Sequence, residues 1–419
     1  MRVALLFLHL SCFVYTGAAQ QINYLNSIKP IIENHCMPCH SKGNVGAMPL
    51  TTYKEVTAYG KMVQYVTENK LMPPWKADHG FSDLKNFNYL NENEIALIKN
   101  WVSDGMEEGI LLKNVNQKIK TASTSIQKPD IVFAMKEAFV QAVDYTDRTQ
   151  VFVIPSNLKE DIYIEGLEFV AGNKRIVKSC SISIDTGAIG MQYDSNDLKY
   201  GYSSFAGVGF VPHQYIWYQW TADMGTTFFE KPFLKKITAG SKILFQITYA
   251  ASKTIENDLS YLKCKITNNN AASKLIHSSI LFTANNITNG PFLINVDEKK
   301  KFFAATTIDK PIEILSLMPQ GQYACYSWEI YAIDSMTGKR INILKIPKWD
   351  AHWKKKYDMA VPIKLSAGSK IYGIAYYNNS EENNNLIIQP PKKIKNGEAT
   401  RDELFLVQYD YAEIESPPL

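Results

Sequence analysis

Apolar residues fall at two different periods along this chain, and the change of period divides it. Between residues 20 and 112 they recur three and four positions apart. Leu25, Ile28, Ile31 and Ile32 do so in 24–35, Val56, Tyr59, Val63 and Val66 in 53–68, and Ile95, Ile98, Trp101 and Val102 after Asn91. That spacing places them on one face of a helix, so it predicts amphipathic helices in these stretches. The last opens on Asn91-Glu92-Asn93-Glu94, an N-cap with an acid three residues on, and stops at Gly105. Leu71-Met72-Pro73-Pro74-Trp75 lies between, and its prolines exclude helix. Lys113 to Lys128 is polar with little periodicity and reads as a linker. After Pro129 the texture becomes short alternating runs: Gln150–Ile154, Asp161–Ile164, Cys180–Ile184, Ile243–Ile247, Ile312–Leu317, Trp328–Ile333, Ile371–Tyr377 and Leu404–Tyr409. Strands this short and numerous, separated by Gly, Asn and Asp, predict β-sandwiches. The length available, about 290 residues, fits two of them.

Composition adds little to this division. The chain has 419 residues with 46% hydrophobic and 21% charged, ordinary for a globular protein, and its 24 Tyr, 19 Phe and 7 Trp favour sheet. A net charge of +4 spread evenly gives no nucleic-acid footprint. Met1 to Ala19 reads as a secretory signal: Arg2, an apolar run from Val3 to Tyr15, then Gly17-Ala18-Ala19 before Gln20. No other run is long enough to span a bilayer. The expected location is the periplasm or cell surface of a Gram-negative bacterium. The domains read as 1–19 signal, 20–112 helical, 113–128 linker, and sandwiches at 129–270 and 271–419.

Cys36-Met37-Pro38-Cys39-His40 carries the chemistry. C-x-x-C-H is the c-type haem attachment pattern. Each thiol forms a thioether with one vinyl group of the porphyrin, and the next residue lies under the iron and supplies its imidazole. A zinc site would need a second C-x-x-C or an H-x-x-H, and the chain has neither. A redox C-x-x-C belongs in a βαβ setting and has no use for the trailing histidine. The cofactor expected is haem c, held by Cys36 and Cys39 with His40 on the iron. Met48, Met62, Met72 and Met106 are available as second axial ligand. Met72 is expected to take that place, because its Pro-rich loop can turn the side chain toward a planar ring. His79 is the runner-up, and His35 is too close to Cys36 to cross to the far face. Cys180, Cys264 and Cys325 remain, in apolar settings where free thiols are expected, although one pair among them stays open.

With its C-x-x-C-H, its Met-Pro-Pro-Trp loop and its Glu-Ile…Trp-Val…Gly ending, the first quarter resembles the cytochrome c domains that precede copper monooxygenase-like modules in bacteria. The remainder resembles the copper type II, ascorbate-dependent monooxygenases, the peptidylglycine and dopamine hydroxylase group. The stretches that carry this are Gly172–Val177, Leu244–Ile247, Leu317-Met318-Pro319, Ile330-Tyr331-Ala332, Ile346–Asp350, Tyr377–Ser380 and Gly397–Glu403. The fold so implied is multidomain: an N-terminal all-α cytochrome c domain followed by two all-β jelly-roll sandwich domains.

The resemblance also implies two coppers. Where the first takes three histidines this chain has Lys178, Ser179 and Thr248. Where the second takes His-x-His and a methionine it has Gln320, Gln322 and Leu404. An ammonium, two hydroxyls, two amides and an alkyl chain offer nothing comparable to imidazole and thioether, so copper is not expected. His213, His277 and His352 stand singly, and Asp350, His352 and Trp353 are expected to be structural. There is no G-x-S-x-G, P-loop, G-x-G-x-x-G or H-E-x-x-H. The expected function is single-electron transfer to or from a redox partner protein, with the sandwiches as a metal-free docking or ligand-binding body. The competing readings are a monooxygenase with copper ligands at unmatched positions and haem as its electron donor, and a structural partner of an outer-membrane complex.

Overall fold

The computed structural model describes residues 22–85, 88–110, 125–204, 207–268, 272–397 and 402–414. The expected signal, Cys12 and most of the 113–128 linker lie outside these residues. Residues 125 and 126 are docked rather than free: the Ile126 N–H donates to Glu168 Oε2 at 2.7 Å, beside the Lys263–Glu168 ion pair.

The helices form where the local signals are strongest. A wide turn, Tyr24–Ile28, runs into α1 (Lys29–His35). Next come α2 (Tyr53–Ala58), α3 (Gly60–Glu68) and α4 (Glu92–Ser103). Thr52 and Asn91 cap α2 and α4, each in a reciprocal exchange with the acid three residues on. The break between α2 and α3 falls at Tyr59, and α3 opens on Gly60, where a Cβ would collide with Met106 Sδ. Tyr24, Ile28, Ile32, Val56, Val63, Ile98 and Trp101 make a small shared core.

These helices do not form the expected N-terminal all-α cytochrome domain. The protein is predominantly β, about 40% strand against 14% helix. Between α3 and α4 the chain leaves the helices and lies across the second sandwich. Trp75, Ala77 and Leu84 belong to the core of that sandwich. Asp78 N–H donates to the Lys345 carbonyl at 2.8 Å, Lys85 N–H to that of Asp358 at 2.7 Å, and Ser82 Oγ to that of Ile343 at 2.7 Å. Its prolines exclude helix, and beyond short turns its backbone finds partners at the sheet. The helices are an appendage built onto the β body.

Leaving out strands of two or three residues, the β body has sixteen. The first eight are β1 (Ile131–Ala134), β2 (Arg148–Pro155), β3 (Ile162–Val170), β4 (Val177–Asp185), β5 (Gln214–Thr221), β6 (Phe233–Ile237), β7 (Lys242–Tyr249) and β8 (Tyr261–Ile266). The second eight are β9 (His277–Phe282), β10 (Glu298–Thr307), β11 (Ile312–Gln320), β12 (Cys325–Ile333), β13 (Arg340–Ile346), β14 (Tyr357–Leu365), β15 (Lys370–Asn379) and β16 (Leu406–Glu413). Facing sheets run β1-β8-β3-β6 and β2-β7-β4-β5 in the first half, and β9-β16-β11-β14 and β10-β15-β12-β13 in the second. The two halves are wound identically, in the order of an eight-stranded jelly roll. Phe152, Ile182, Trp217 and Phe245 fill the first sandwich, and Phe302, Leu317, Trp328 and Phe405 the second.

Strand β5 joins the halves and is buried at every position. Its Tyr215 and Ile216 pack with Met318 of β11 and with Ile280 and Leu406. Beside this apolar contact lies a buried charge cluster. Lys235 on β6 pairs with Asp410 on β16 at 3.2 Å, Lys356 pairs with the same carboxylate at 2.9 Å, and Ser278 Oγ donates to it at 2.6 Å. Burial pushes the Lys235 ammonium down to about 8, against the pull of Asp410. Burial opposes ionisation of Asp410 as well, but Lys235 and Lys356 hold it below the usual carboxylate range. Asp410→Asn should therefore be the severe change, since it removes the one carboxylate bonded directly to both Lys235 and Lys356 and leaves only the more distant charge of Asp358. A loss of about 3–5 kcal/mol is expected, read from the urea midpoint. Lys235→Met should cost less, because Asp410 keeps Lys356 and Ser278. The reverse order would reject this account of the junction.

Candidate functional site

The C-x-x-C-H motif is a single tight turn off the end of α1. The N–H groups of Cys36 and Met37 donate to the Ile32 carbonyl at 2.9 and 3.0 Å, and the His40 N–H returns to the Cys36 carbonyl at 2.9 Å. This turn brings both cysteines and the histidine together. Both thiols are unpaired and half-buried. Burial pushes each up to about 12; Cys39 also feels Asp223, offset by Lys355. Thiols held this high are scarcely ionised at neutral pH, the opposite of a dithiol built for exchange.

His40 has a fixed tautomer. Its Nδ1 lies 2.9 Å from the Met48 carbonyl. A carbonyl only accepts, so Nδ1 carries the proton and the Nε2 lone pair is left for a metal. Gly46 makes this geometry possible, since a Cβ there would lie 2.7 Å from His40 Nδ1. His35 is engaged at both nitrogens, with Asn88 Oδ1 at 2.8 Å and Glu94 Oε1 at 3.4 Å. The residues of the turn thus fit covalent haem: two free thiols and one imidazole with a free nitrogen.

Met72 and His79 line one cavity of about 370 Å³, together with Trp75, Tyr89, Leu90 and Ile95. Met72 is 36% exposed there, and the His79 ring stacks on Tyr89 at 4.4 Å. Cys36, Cys39 and His40 do not line this cavity. Of the other methionines, Met62 is exposed, Met106 is packed on Gly60, and Met48 serves His40 through its carbonyl.

The second site is a cleft of about 390 Å³ between the sandwiches. Five of the six positions set against copper ligands converge on it, namely Lys178, Ser179, Thr248, Gln320 and Gln322. Leu404 does not; it is buried, and its carbonyl accepts from Tyr377 OH at 2.8 Å. Lys178 is paired with Asp147 and lies 5.7 Å from the centre of the Trp353 ring. Lys354 Nζ donates to Gln322 Oε1 at 2.9 Å. Gln320 and Gln322 are each only 4% exposed, yet the Nε2 of each has no hydrogen-bond partner. A buried donor left unmet costs about 1–3 kcal/mol.

Sequence reasoning missed Glu403, whose carboxylate underlies this wall. It accepts N–H bonds from Gln322, from Ala324 at 2.8 Å, from Cys325 at 3.2 Å and from Leu404 at 2.8 Å. Nothing in an acidic stretch such as Thr400-Arg401-Asp402-Glu403 marks one acid as buried. Trp353, expected to be structural only, is a cleft wall, as are Arg148 and His352. The turn and the cleft are near each other: the Asp223–Lys355 pair that Cys39 feels is 2.7 Å long and links the sandwiches beside Thr221 and Lys354 of the cleft. Among the described residues no three His, Cys, Asp or Glu side chains are grouped to hold a metal ion. Cys180, Cys264 and Cys325 are all unpaired and buried.

No protein-family model matches the chain, and no curated protein matches it. Among solved structures, it is similar to the major capsid protein P2 from bacteriophage PM2, at 9% identity over 68% of this chain and 98% of that one, TM-score 0.26. It is similar to PNGF-II, at 11% identity over 69% and 66%, TM-score 0.26. It is also similar to the infectious bursal disease virus VP2 subviral particle, at 9% identity over 71% and 84%, TM-score 0.16. None of these is a cytochrome or a monooxygenase, and no functional reading rests on likeness this low. The expected kinship with cytochrome c domains and type II copper monooxygenases is overturned: no family model or curated protein of either kind matches, the helices form no separate domain, and the described residues group no metal ligands. No described helix is long and apolar enough to cross a membrane, which says nothing of β-barrels.

Glu403 yields a pH test. Burial raises it to about 7 against four N–H donors and Lys354, whereas its ordinary value is 4.5. As pH falls, the folded state takes up this proton before the unfolded chain does. Its contribution is therefore most favourable below about pH 4.5 and is lost as pH rises through 7. Glu403→Gln cannot ionise, so it lacks this dependence. The stability of the parent relative to Glu403→Gln should fall between pH 4.5 and 7.5, by at most about 3 kcal/mol. A difference in urea-unfolding free energy that stays flat with pH would reject the assignment.

Proposed function

We propose that the protein is an exported single-electron carrier, with haem attached through Cys36 and Cys39 and held on the iron by His40. In this reading the jelly-roll pair is the body that binds or docks what the haem serves. The observation that carries it is His40: Nδ1 fixed on the Met48 carbonyl, Nε2 free, directly after two unpaired thiols. When bound, haem supplies an iron that alternates between ferrous and ferric states, one electron at a time. The chain's own contribution is positioning. The Met48 carbonyl holds the imidazole plane and raises the basicity of Nε2. Gly46 leaves room for that ring, and the turn fixes both sulfurs at attachment spacing. Met72 is proposed as the second iron ligand, with His79 beside it on the same cavity. The leader read at Met1–Ala19 suits attachment in a bacterial periplasm, and the counterpart is a redox protein.

Covalent attachment predicts that denaturation and acid–organic extraction leave the colour on the polypeptide, and that Cys36→Ala/Cys39→Ala releases it. Freely extractable haem in correctly matured protein would overturn the proposal. Met72→Ala should abolish the weak sulfur-to-iron band at the red end of the oxidised spectrum and lower the potential. Met62→Ala should do neither. An unchanged spectrum in Met72→Ala would move the ligand to His79.

A further inference from the structure

Electron transfer at the haem turn does not use the cleft between the sandwiches, and the cleft has unmet bonding capacity. On the second sandwich, Gln320 and Gln322 present carboxamides whose Nε2 donors are closed off from solvent and unpartnered. Across the cleft, Arg148 of β2 is half-buried, with its charge reaching the Asp144 carboxylate of the same lining. Lys178 is paired with Asp147, while Lys354 donates to the neutral Gln322 Oε1 and feels the Glu403 carboxylate behind it. Around them stand the hydroxyls of Ser179, Ser181 and Thr248 and the indole of Trp353. Three cations, Arg148, Lys178 and Lys354, line the cleft against two carboxylates, Asp144 and Asp147, and this excess with spare amide donors on the other wall calls for a small molecule rich in acceptor oxygens, negative at one end.

We propose that this cleft binds a small organic acid. A carboxylate meets the Arg148 guanidinium in a two-point hydrogen-bonded pair. Further oxygens accept from the Gln320 and Gln322 amides, and the carbon skeleton lies against Trp353. The cavity, about 390 Å³, admits an acid of citrate size with water to spare. The inference rests on the reading of the jelly-roll pair as a binding body, and it does not depend on the haem.

The experiment is calorimetric titration of the full haem-loaded chain with citrate, malate and succinate, with xylitol as uncharged control. At least one acid should bind saturably and xylitol should not. Arg148→Gln should weaken that binding about tenfold or more. Gln320→Leu should weaken it too while unfolding no more readily than the parent, because it deletes an unmet buried donor. Three results would overturn the proposal: no saturable binding of any of the acids at millimolar concentration, equal binding of xylitol, or affinity indifferent to both substitutions. Repeating the titration on Cys36→Ala/Cys39→Ala separates the two readings. Acid binding that persists without covalent haem supports the cleft alone. Freely extractable haem in the parent condemns the electron-carrier reading and leaves this one standing.

Discussion

The arrangement of both sites depends on a buried carboxylate shared by two ammonium groups. Asp410, Lys235 and Ser278 lie buried where the sandwiches meet, with Lys356 at the edge of the cluster. An apolar contact alone would leave the halves free to slide, since apolar packing has no direction. A carboxylate bonded to two cations has one, and removing the carboxylate takes the shared anion from both cations at low dielectric. The fully buried strand β5 then sets the distance between the bodies, and the cleft is the gap left beside it.

The C-x-x-C-H turn follows a different logic. It needs no long-range network, because the spacing of Cys36, Cys39 and His40 is set by one turn of chain and its tautomer by one carbonyl. Its long-range relation is to the Asp223–Lys355 pair, which places Cys39 beside the seam between the sandwiches. Two chemically distinct centres thus share one seam, one built from local backbone geometry and the other from the meeting of remote strands.

That difference explains what could be read from the sequence. The cap at Asn91, the helical stripes and the alternation of the strands rest on interactions within a few residues and were legible, whereas the cap at Thr52, equally local, was not read. Trp75 was not. Its Pro-Pro neighbourhood reads as a ligand loop, while its packing partners in the second sandwich lie far along the chain. Glu403 and Arg148 were hidden for a similar reason, as burial of a charged residue depends on strands that only the fold brings near. Convergence of Lys178, Ser179, Thr248, Gln320 and Gln322 on one cleft was readable as a set of positions, whereas their chemistry there was not. Leu404, one residue past Glu403, faces the interior instead, because its backbone is held by Glu403 and Tyr377.

The strap between α3 and α4 makes spatial order disagree with synthesis order. Ser82 finds its carbonyl partner 261 residues later, at Ile343. At translation speeds of about 5–20 residues per second, that partner emerges roughly 13–50 s after the strap itself. For that interval Trp75, Ala77 and Leu84 have no core to enter, although the helices on either side can already close around Trp101. The helical appendage is thus born half-finished, and holding the strap unaggregated until the last sheet assembles is a task for the machinery that delivers the chain.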